Sequence, residues 1–339
     1  MSNFKQIMSI IVDRVGLSID DAFGTAKAIL TGVFDDIQVA ALLTGLRVKG
    51  ETPEEIVGFV KAMKENCIKI NTDVEAIDTA GTGGDGYRTI NVSTISAVIT
   101  ASGGAYVLKH GNRAVSSSSG SADFLEALGF KIELEPHQVI EMLRRVKFSF
   151  IFAPKYHPLM RNVMPIRKKL GFRTIFNLVG PLSNPGNVKR QVIGVANKEL
   201  MKVFAEALKL LKVNHALIVH GEPGIDEASI FGKTYIIEVK KDDIDSYVIE
   251  PKDLNIPIGD LKNVTTNSPN ESIEKVLKVL KGKGNADVKN FILINTALAM
   301  YVANLVKDFK DGIEYASKLI SDGVVLNYLE SIIETSHKV

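Results

Sequence analysis

The chain has 339 residues, of which 45% are hydrophobic and 24% charged, with a formal net charge of +2. This is ordinary globular composition, long enough for two domains and a substantial core, and its near-balanced charge gives no polyelectrolyte signal. The single cysteine, Cys67, excludes an internal disulfide and suits a reducing compartment.

The opening Met1-Ser-Asn-Phe-Lys run lacks the apolar core of a signal peptide, because Asp13 and Arg14 interrupt it. The longest apolar stretch, Phe291 to Val306, contains Asn295 and Asn304 and is too short and polar to span a bilayer. The expected location is the cytoplasm, with no membrane partner.

Residues 1 to about 70 read as all-helical. Segments 18 to 31 and 36 to 48 are amphipathic with short polar breaks, and Thr52-Pro53-Glu54-Glu55 is a capping box with proline at the first helical position. Ile56, Phe59, Val60 and Met63 follow at helical spacing. With eight Lys/Arg against nine Asp/Glu in residues 1 to 70, this small helical domain, placed at 1–72, is nearly neutral.

From about residue 74 short apolar runs alternate with helical patterns. The expected strands are Glu75 to Asp78, Ala105 to Leu108, Phe148 to Phe152, Gln191 to Val195, Ala216 to His220 and Tyr235 to Val239. Helical segments between most of them predict an α/β domain over 73–339 with a mainly parallel sheet surrounded by helices. The tail turns helical again, and Ser268-Pro269-Asn270-Glu271 repeats the capping-box pattern. No internal repeat or low-complexity tract is visible.

Three stretches carry chemistry. The first is Thr79-Ala-Gly-Thr-Gly-Gly-Asp-Gly86, whose glycines at 81, 83, 84 and 86 follow an apolar run and precede a helical segment beginning near Asn91. Such a loop lets backbone N–H groups approach a phosphate, and the helix N-terminus adds donors. Gly81, Gly83 and Gly86 also satisfy a dinucleotide fingerprint, but that motif needs an acid about 20 residues on, and none occurs from Gly86 through Ala122. The same stretch carries Arg88, Lys109, His110 and Arg113 with Ser93, Thr94 and serines 116 to 119. Read alone, the loop has a lesser alternative as a turn that merely joins strand to helix, and the clustered cations and hydroxyls weigh against it.

The second stretch is acid-free from Met142 to Lys198, with Lys or Arg at 144, 145, 147, 155, 161, 167, 168, 169, 173, 189, 190 and 198. A solvated basic face is the usual explanation of such a run. Here Phe152, Tyr156, His157, Phe176 and several prolines are interleaved, which suits a pocket for anions.

The third is His220-Gly-Glu-Pro-Gly-Ile-Asp-Glu-Ala-Ser229, which places Asp226 and Glu227 just after an apolar strand. Open α/β sheets bind ligands at that end, and magnesium is commonly held by one or two carboxylates together with substrate phosphates. Adjacent acids in such a turn are otherwise simply solvated. Zinc spacing, a partner for Cys67, a nucleophile elbow and a Walker motif are all absent from the sequence. With no acid/base dyad evident, catalysis by positioning and charge stabilisation is expected.

These residues fall into blocks that resemble the anthranilate phosphoribosyltransferases of tryptophan biosynthesis. The blocks are DTAGTGGDGY from Asp78, NVST from Asn91, KHGNRAVS from Lys109, GSAD from Gly120, FAPKYHP from Phe152, RKKLGFRTIFN from Arg167, GPLSNP from Gly180 and GIDE from Gly224. They run in the family's order, and the similarity extends through the helical start and the closing Asn295-Thr-Ala297 segment.

The resemblance implies a fold shared with pyrimidine nucleoside phosphorylases, in which a segment near 165–185 returns to the helical domain. It implies transfer of 5-phosphoribose from phosphoribosyl pyrophosphate to the amine of anthranilate, with two Mg²⁺ ions per subunit and a homodimer through the helical domains. By matching positions, Gly81, Thr82, Gly83, Gly84, Asp85, Thr89, Asn91, Ser93, Thr94, Lys109 and Ser121 would hold phosphoribosyl pyrophosphate. Gly81, His110, Asn112, His157, Arg167, Gly180 and Pro181 would line the anthranilate route, while Ser93, Asp226 and Glu227 would serve the metal. Lys109 and Arg167 would act by positioning and charge stabilisation rather than as acid or base.

Two positions depart from the family pattern: Ser118 stands where a lysine is common in the serine loop, and Asp322 precedes Gly323 where a serine is common. Two rival readings are a pyrimidine nucleoside phosphorylase on the same fold and a nucleic-acid-binding relative without catalysis. The basic stretch 142 to 198 favours the second, whereas the Asp226-Glu227 pair and the neutral helical domain oppose it, so no nucleic acid is expected as a partner.

Overall fold

The computed structural model describes residues 3–114 and 120–339. Four helices open the chain: α1 (Phe4–Val12), α2 (Ile19–Leu30), α3 (Asp36–Lys49) and α4 (Pro53–Glu65). Each starts at a side-chain cap, from Asn3, Ser18, Asp35 and Thr52 respectively. A cap of this kind contributes about 1 kcal/mol. The Thr52 capping box also ties down tertiary structure. Glu55 accepts from Thr52 N–H at 2.9 Å, from Leu17 N–H at 3.0 Å and from Lys49 Nζ at 2.9 Å, so its buried carboxylate fixes the loop that enters α2.

The rest of the chain builds one seven-stranded sheet in the order β3-β2-β1-β4-β5-β6-β7. The strands are β1 (Ile77–Gly81), β2 (Val107–Gly111), β3 (Phe148–Phe152), β4 (Arg190–Gly194), β5 (His215–Gly221), β6 (Thr234–Lys240) and β7 (Asp243–Ile249). Pairings among β1 to β5 are parallel, and β6 and β7 add an antiparallel edge. Strand β3 has its expected bounds. Strands β1 and β2 begin two residues later and end three residues later than expected, because Gly81 pairs with Gly194 and Lys109 and His110 pair with Phe150 and Ile151. Strand β7 was not expected; none of its residues is fully buried, as suits an edge.

The helices of this part are α5 (Val92–Ser102), α6 (Ser121–Ala127), α7 (Pro136–Val146), α8 (Ala153–Tyr156), α9 (Met164–Leu170), α10 (Ile175–Val179) and α11 (Leu200–Leu210). After the sheet come α12 (Leu261–Val264), α13 (Pro269–Leu280), α14 (Ala286–Val302), α15 (Phe309–Ser321) and α16 (Val324–Lys338). The Ser268 cap forms as expected, but its return arm differs: Glu271 reaches Asn267 N–H at 2.8 Å rather than Ser268. Among the described residues no helix is long and apolar enough to cross a membrane.

Both faces of the sheet are covered, and the middle of β5, Ala216 to Val219, is accordingly a continuous buried apolar run. On β5, Leu217 and Val219 join α5, α7, α14 and α16 in one core, while Ala216 and Ile218 join a second core with α11. That second core is shared with the opening bundle. It contains Leu42, Phe59 and Val60 together with Ile166, Ile175, Phe176 and Val179 from the segment that returns through α9 and α10. The rings of Phe59 and Phe176 meet edge to face at 5.5 Å. Burying one such side chain stabilises by roughly 1.5–3 kcal/mol, so the bundle is seated firmly on the sheet.

Candidate active site

Strand β1 lies between β2 and β4. The chain leaves β1 for one half of the sheet and later returns on its other side at β4, and open α/β sheets bind ligands at such a switch point, outside the carboxyl ends of the strands. The glycine loop emerges from β1 at this place. Thr82 N–H donates to Gly194 O at 2.8 Å, at the end of β4, and the loop carrying Asp226 follows β5.

The loop geometry explains its glycines. Gly83, Gly84 and Gly86 have φ of +62°, +77° and +81°, the left-handed region that costs other residues conformational energy. Gly81 and Gly194 are required for another reason: a Cβ there would lie 2.2 Å from Asp226 Oδ2 and 1.6 Å from Asp226 O respectively. The acidic loop therefore packs directly on two glycines. Asp226 Oδ2 accepts from Gly83 N–H at 2.7 Å, and Glu227 Oε2 accepts from Thr89 Oγ1 at 2.9 Å. Tyr87 OH donates to Pro223 O at 3.1 Å, a further tie between the two loops.

A cavity of about 50 Å³ lies at this junction, lined by Thr79, Gly81, Ser93, Ser96, Gly194, Asp226, Glu227 and Asn295 among others. Burial, then the nearby Asp85, push the Asp226 carboxyl above its usual range; burial, then Asp226 and Asp85, push Glu227 well above its own. The adjacent carboxyl groups of Asp226 and Glu227 suit a cation whose shell substrate phosphates complete, and the donors available, carboxylate and hydroxyl oxygens, are those a hard divalent ion takes. The residues thus fit Mg²⁺. Among the described residues no group of three or more His, Cys, Asp or Glu is arranged to hold a metal ion by itself.

Lys109 and Asp78 lie beneath the loop. Lys109 Nζ donates to Thr79 O, and lies 3.4 Å from both Thr79 Oγ1 and Ser93 Oγ. Asp78 accepts from Asn184 Nδ2 at 2.8 Å and from His110 N–H at 3.2 Å. Burial pushes Asp78 up to about 6 and Lys109 down to about 8, each opposed by the other's charge. Thr94, at the start of α5, is buried with its Oγ1 unpartnered among the described residues.

A second group gathers beside this one. The rings of His110 and His157 are 5.1 Å apart, both residues are buried, and their Nε2 atoms are unpartnered among the described residues. Burial, then His157, hold His110 well below the usual histidine range, and burial brings His157 to about 4, so both are neutral at physiological pH. The Gly180 backbone reaches His110, and Pro181 O accepts from Gln191 Nε2 at 3.1 Å. Asn112 is exposed just past β2, where its carbonyl lies 3.5 Å from Ser121 Oγ. Arg167 forms no ion pair among the described residues; its guanidinium lies over Phe176 at 6.0 Å from the ring centroid.

The basic stretch does not form one anion pocket. Lys155 pairs with Glu135 at 2.6 Å, Arg145 with Glu141 at 2.7 Å and Arg190 with Glu75 at 3.0 Å, all using acids from outside the stretch. Arg113 is likewise committed to Asp123 and Glu126. Arg173 behaves differently. It donates through Nη2 to Thr82 O at 2.7 Å and through Nη1 to Gly83 O, gripping the glycine loop by two successive carbonyls. With Arg47, Glu51 and Thr174 it lines a second cavity of about 170 Å³ beside the opening bundle.

Sequence reasoning did not assign Arg173, Thr79, Ser96 or Asn295 to the site. Asn295 had a visible signal, a polar residue inside the apolar stretch that opens at Phe291. It exchanges two hydrogen bonds with the backbone of Ala228, at 2.9 and 3.0 Å, and so fixes the loop just after Glu227. Ser118 lies outside the described residues.

Comparison with known proteins matches both parts of the fold. Residues 5–67 match the helical bundle domain of the glycosyl transferase family, and residues 73–326 match its a/b domain. The anthranilate phosphoribosyltransferase of Caldivirga maquilingensis is 54% identical over 316 residues, 93% of each chain. The solved anthranilate phosphoribosyltransferase of Thermus thermophilus superposes with a TM-score of 0.92 at 34% identity, covering 98% of this chain and 99% of that one. The Saccharomyces cerevisiae enzyme, solved in complex with PRPP and Mg, superposes with a TM-score of 0.90 at 30% identity, covering 99% and 98%. This chain belongs to the anthranilate phosphoribosyltransferase family.

Proposed function

We propose that the protein transfers 5-phosphoribose from phosphoribosyl pyrophosphate to the amine of anthranilate, giving N-(5-phosphoribosyl)anthranilate and pyrophosphate in tryptophan biosynthesis. The observation that carries this reading is the meeting of the glycine loop with the Asp226-Glu227 pair at the sheet's switch point, in a chain of this family.

Gly81, Thr82, Gly83, Gly84, Asp85, Thr89, Asn91, Ser93, Thr94 and Ser121 form the phosphoribosyl pyrophosphate site. The loop amides bind the diphosphate, and the Lys109 charge beneath Thr79 and Ser93 favours the negative charge that grows on it. Ser93, Asp226 and Glu227 would hold Mg²⁺, two ions per subunit, which when bound neutralise the departing pyrophosphate. His110, Asn112, His157, Arg167, Gly180 and Pro181, with Gly81, form the anthranilate route. Arg167, whose fork has no carboxylate partner among the described residues, pairs with the anthranilate carboxylate. The neutral His110 and His157 leave the amine unprotonated. Its lone pair then bonds to C1 of the ribose as the bond to pyrophosphate breaks, and the amine proton is lost afterwards, so no strong base is needed.

The working division is a helical domain of 1–72, rejoined by the segment near 165–185, and a catalytic domain of 73–339. Homodimerisation through the helical domain is supported by its exposed apolar residues, Val12, Val15, Val33, Ile37 and Val48. The lone cysteine suits a cytoplasmic setting. Chromatographic detection of the phosphoribosylated amine and of pyrophosphate in equal amounts, from the two substrates and Mg²⁺, tests the reaction; neither product forming would overturn it.

A further inference from the structure

We infer that Arg173 is a positioning residue for the diphosphate end of phosphoribosyl pyrophosphate: its guanidinium fork sets the peptide planes of the glycine loop so that their N–H groups face the ligand. The inference rests on the reading of that loop as the phosphoribosyl pyrophosphate site.

Arg173 sits between α9 and α10, 90 and 91 residues from the carbonyls of Gly83 and Thr82 that it grips. In a trans peptide the C=O and the following N–H point in opposite directions. Holding the Thr82 and Gly83 carbonyls therefore turns the N–H groups of Gly83 and Gly84 away from the guanidinium. The Gly83 N–H obeys this, meeting Asp226 Oδ2 at 2.7 Å. Two successive carbonyls suit a planar fork, and a lysine ammonium is a poorer match.

Gly84 complements the contact. A Cβ there would lie 1.7 Å from Arg173 Nη1, so this glycine makes room for the arginine in addition to supplying its φ of +77°. The residues that follow, Thr174, Ile175 and Phe176, are buried, the last two in the core shared with the opening bundle. The aim of the phosphate-binding amides is thereby coupled to the seating of the helical domain, which sequence spacing alone does not reveal.

The test is calorimetric titration of the full-length protein with phosphoribosyl pyrophosphate and Mg²⁺, for the unsubstituted chain, Arg173→Ala, Arg173→Lys, Gly84→Ala and the Arg173→Ala/Gly84→Ala double variant. KM for each substrate and thermal unfolding are measured in parallel. Arg173→Ala should bind phosphoribosyl pyrophosphate ~10- to 100-fold more weakly while KM for anthranilate stays within about two-fold, and Arg173→Lys should recover only part of the loss. Gly84→Ala should weaken binding more in the parent than in the Arg173→Ala background.

Arg173→Ala binding within about two-fold of the parent, or a loss shared equally by both substrates together with a lowered melting temperature, would overturn the assignment. If Arg173→Ala does not fold, Arg173→Lys decides: weakened binding of phosphoribosyl pyrophosphate alone supports the role, and parent-like binding removes it. Failure of the unsubstituted protein to bind phosphoribosyl pyrophosphate would instead overturn the functional reading itself.

Discussion

Asp226 accepts a hydrogen bond from the backbone N–H of Gly83 at 2.7 Å, across 143 residues of sequence. The contact joins the acidic loop after β5 to the glycine loop after β1 and makes them one site. It also places the carboxylate on a donor that a phosphate oxygen can use, beside Glu227 and within a cavity whose walls include Thr79, Ser93 and Asn295.

Replacing both acids, Asp226→Asn with Glu227→Gln, should lower turnover at least ~10-fold and leave the fold intact, since both substitutions keep shape and remove charge. Initial rates across a magnesium titration, with circular dichroism as the control, make the check. Parent rates throughout would reduce the pair to solvated loop acids.

Arg167→Ala should raise KM for anthranilate far more than KM for phosphoribosyl pyrophosphate. Loss of a charge-assisted contact costs roughly 1.5–3 kcal/mol, about 10- to 100-fold. Steady-state kinetics with each substrate varied in turn separates this from equal effects on both, which would move Arg167 to the phosphate side or to a structural role.

The helical domain should hold two chains together. Ile37 is 81% exposed and Val48 71% exposed on α3, surfaces that a partner would cover. Sedimentation at micromolar concentration should report twice the 37.0 kDa chain mass, and Ile37→Glu should shift the species towards the single chain. A 37.0 kDa species alone in the unsubstituted protein contradicts the dimer.

Stability should fall in acid through Glu238. This carboxylate, on β6, accepts from His215 at 2.8 Å, Tyr247 at 2.9 Å and Tyr301 at 3.0 Å and pairs with Lys240 at 2.9 Å. Burial alone would raise its pKa, but these partners together hold it down to about 2, against 4.5 for an ordinary glutamate. A depressed folded-state pKa means the stabilisation is complete above about 4.5 and is lost as pH falls towards 2. Thermal melts of the parent and Glu238→Gln should differ most near neutrality, and the gap should close as pH falls from about 4.5 to about 2. A constant gap at every pH would contradict the charge-based account.

Much of this site was legible because local chemistry announced it. Four glycines in a row of eight, an acid-free basic stretch and a paired acid after an apolar strand each break ordinary composition. Strand β3 was readable to its ends because Phe148–Phe152 is buried throughout. What stayed hidden depends on distant partners. Arg173 was one cation among many until the fold brought it to Thr82 and Gly83, while neighbouring cations found acids from outside the stretch. Strand β7 was missed because Asp243, Asp245 and Ser246 are exposed on an edge, leaving only the short apolar run Tyr247 to Ile249 to read. The bundle's shared core was hidden as well: Phe59 and Phe176 each look like one helix's buried stripe, and only their contact shows that the two parts close on one another.

The central claim is tested most directly by following anthranilate fluorescence while phosphoribosyl pyrophosphate and Mg²⁺ are supplied to the folded protein. A steady loss of fluorescence that requires both additions and yields pyrophosphate in step is the expected result. A flat trace from well-folded protein, with phosphate-dependent cleavage of a pyrimidine nucleoside or salt-resistant retention of an oligonucleotide in its place, would contradict it.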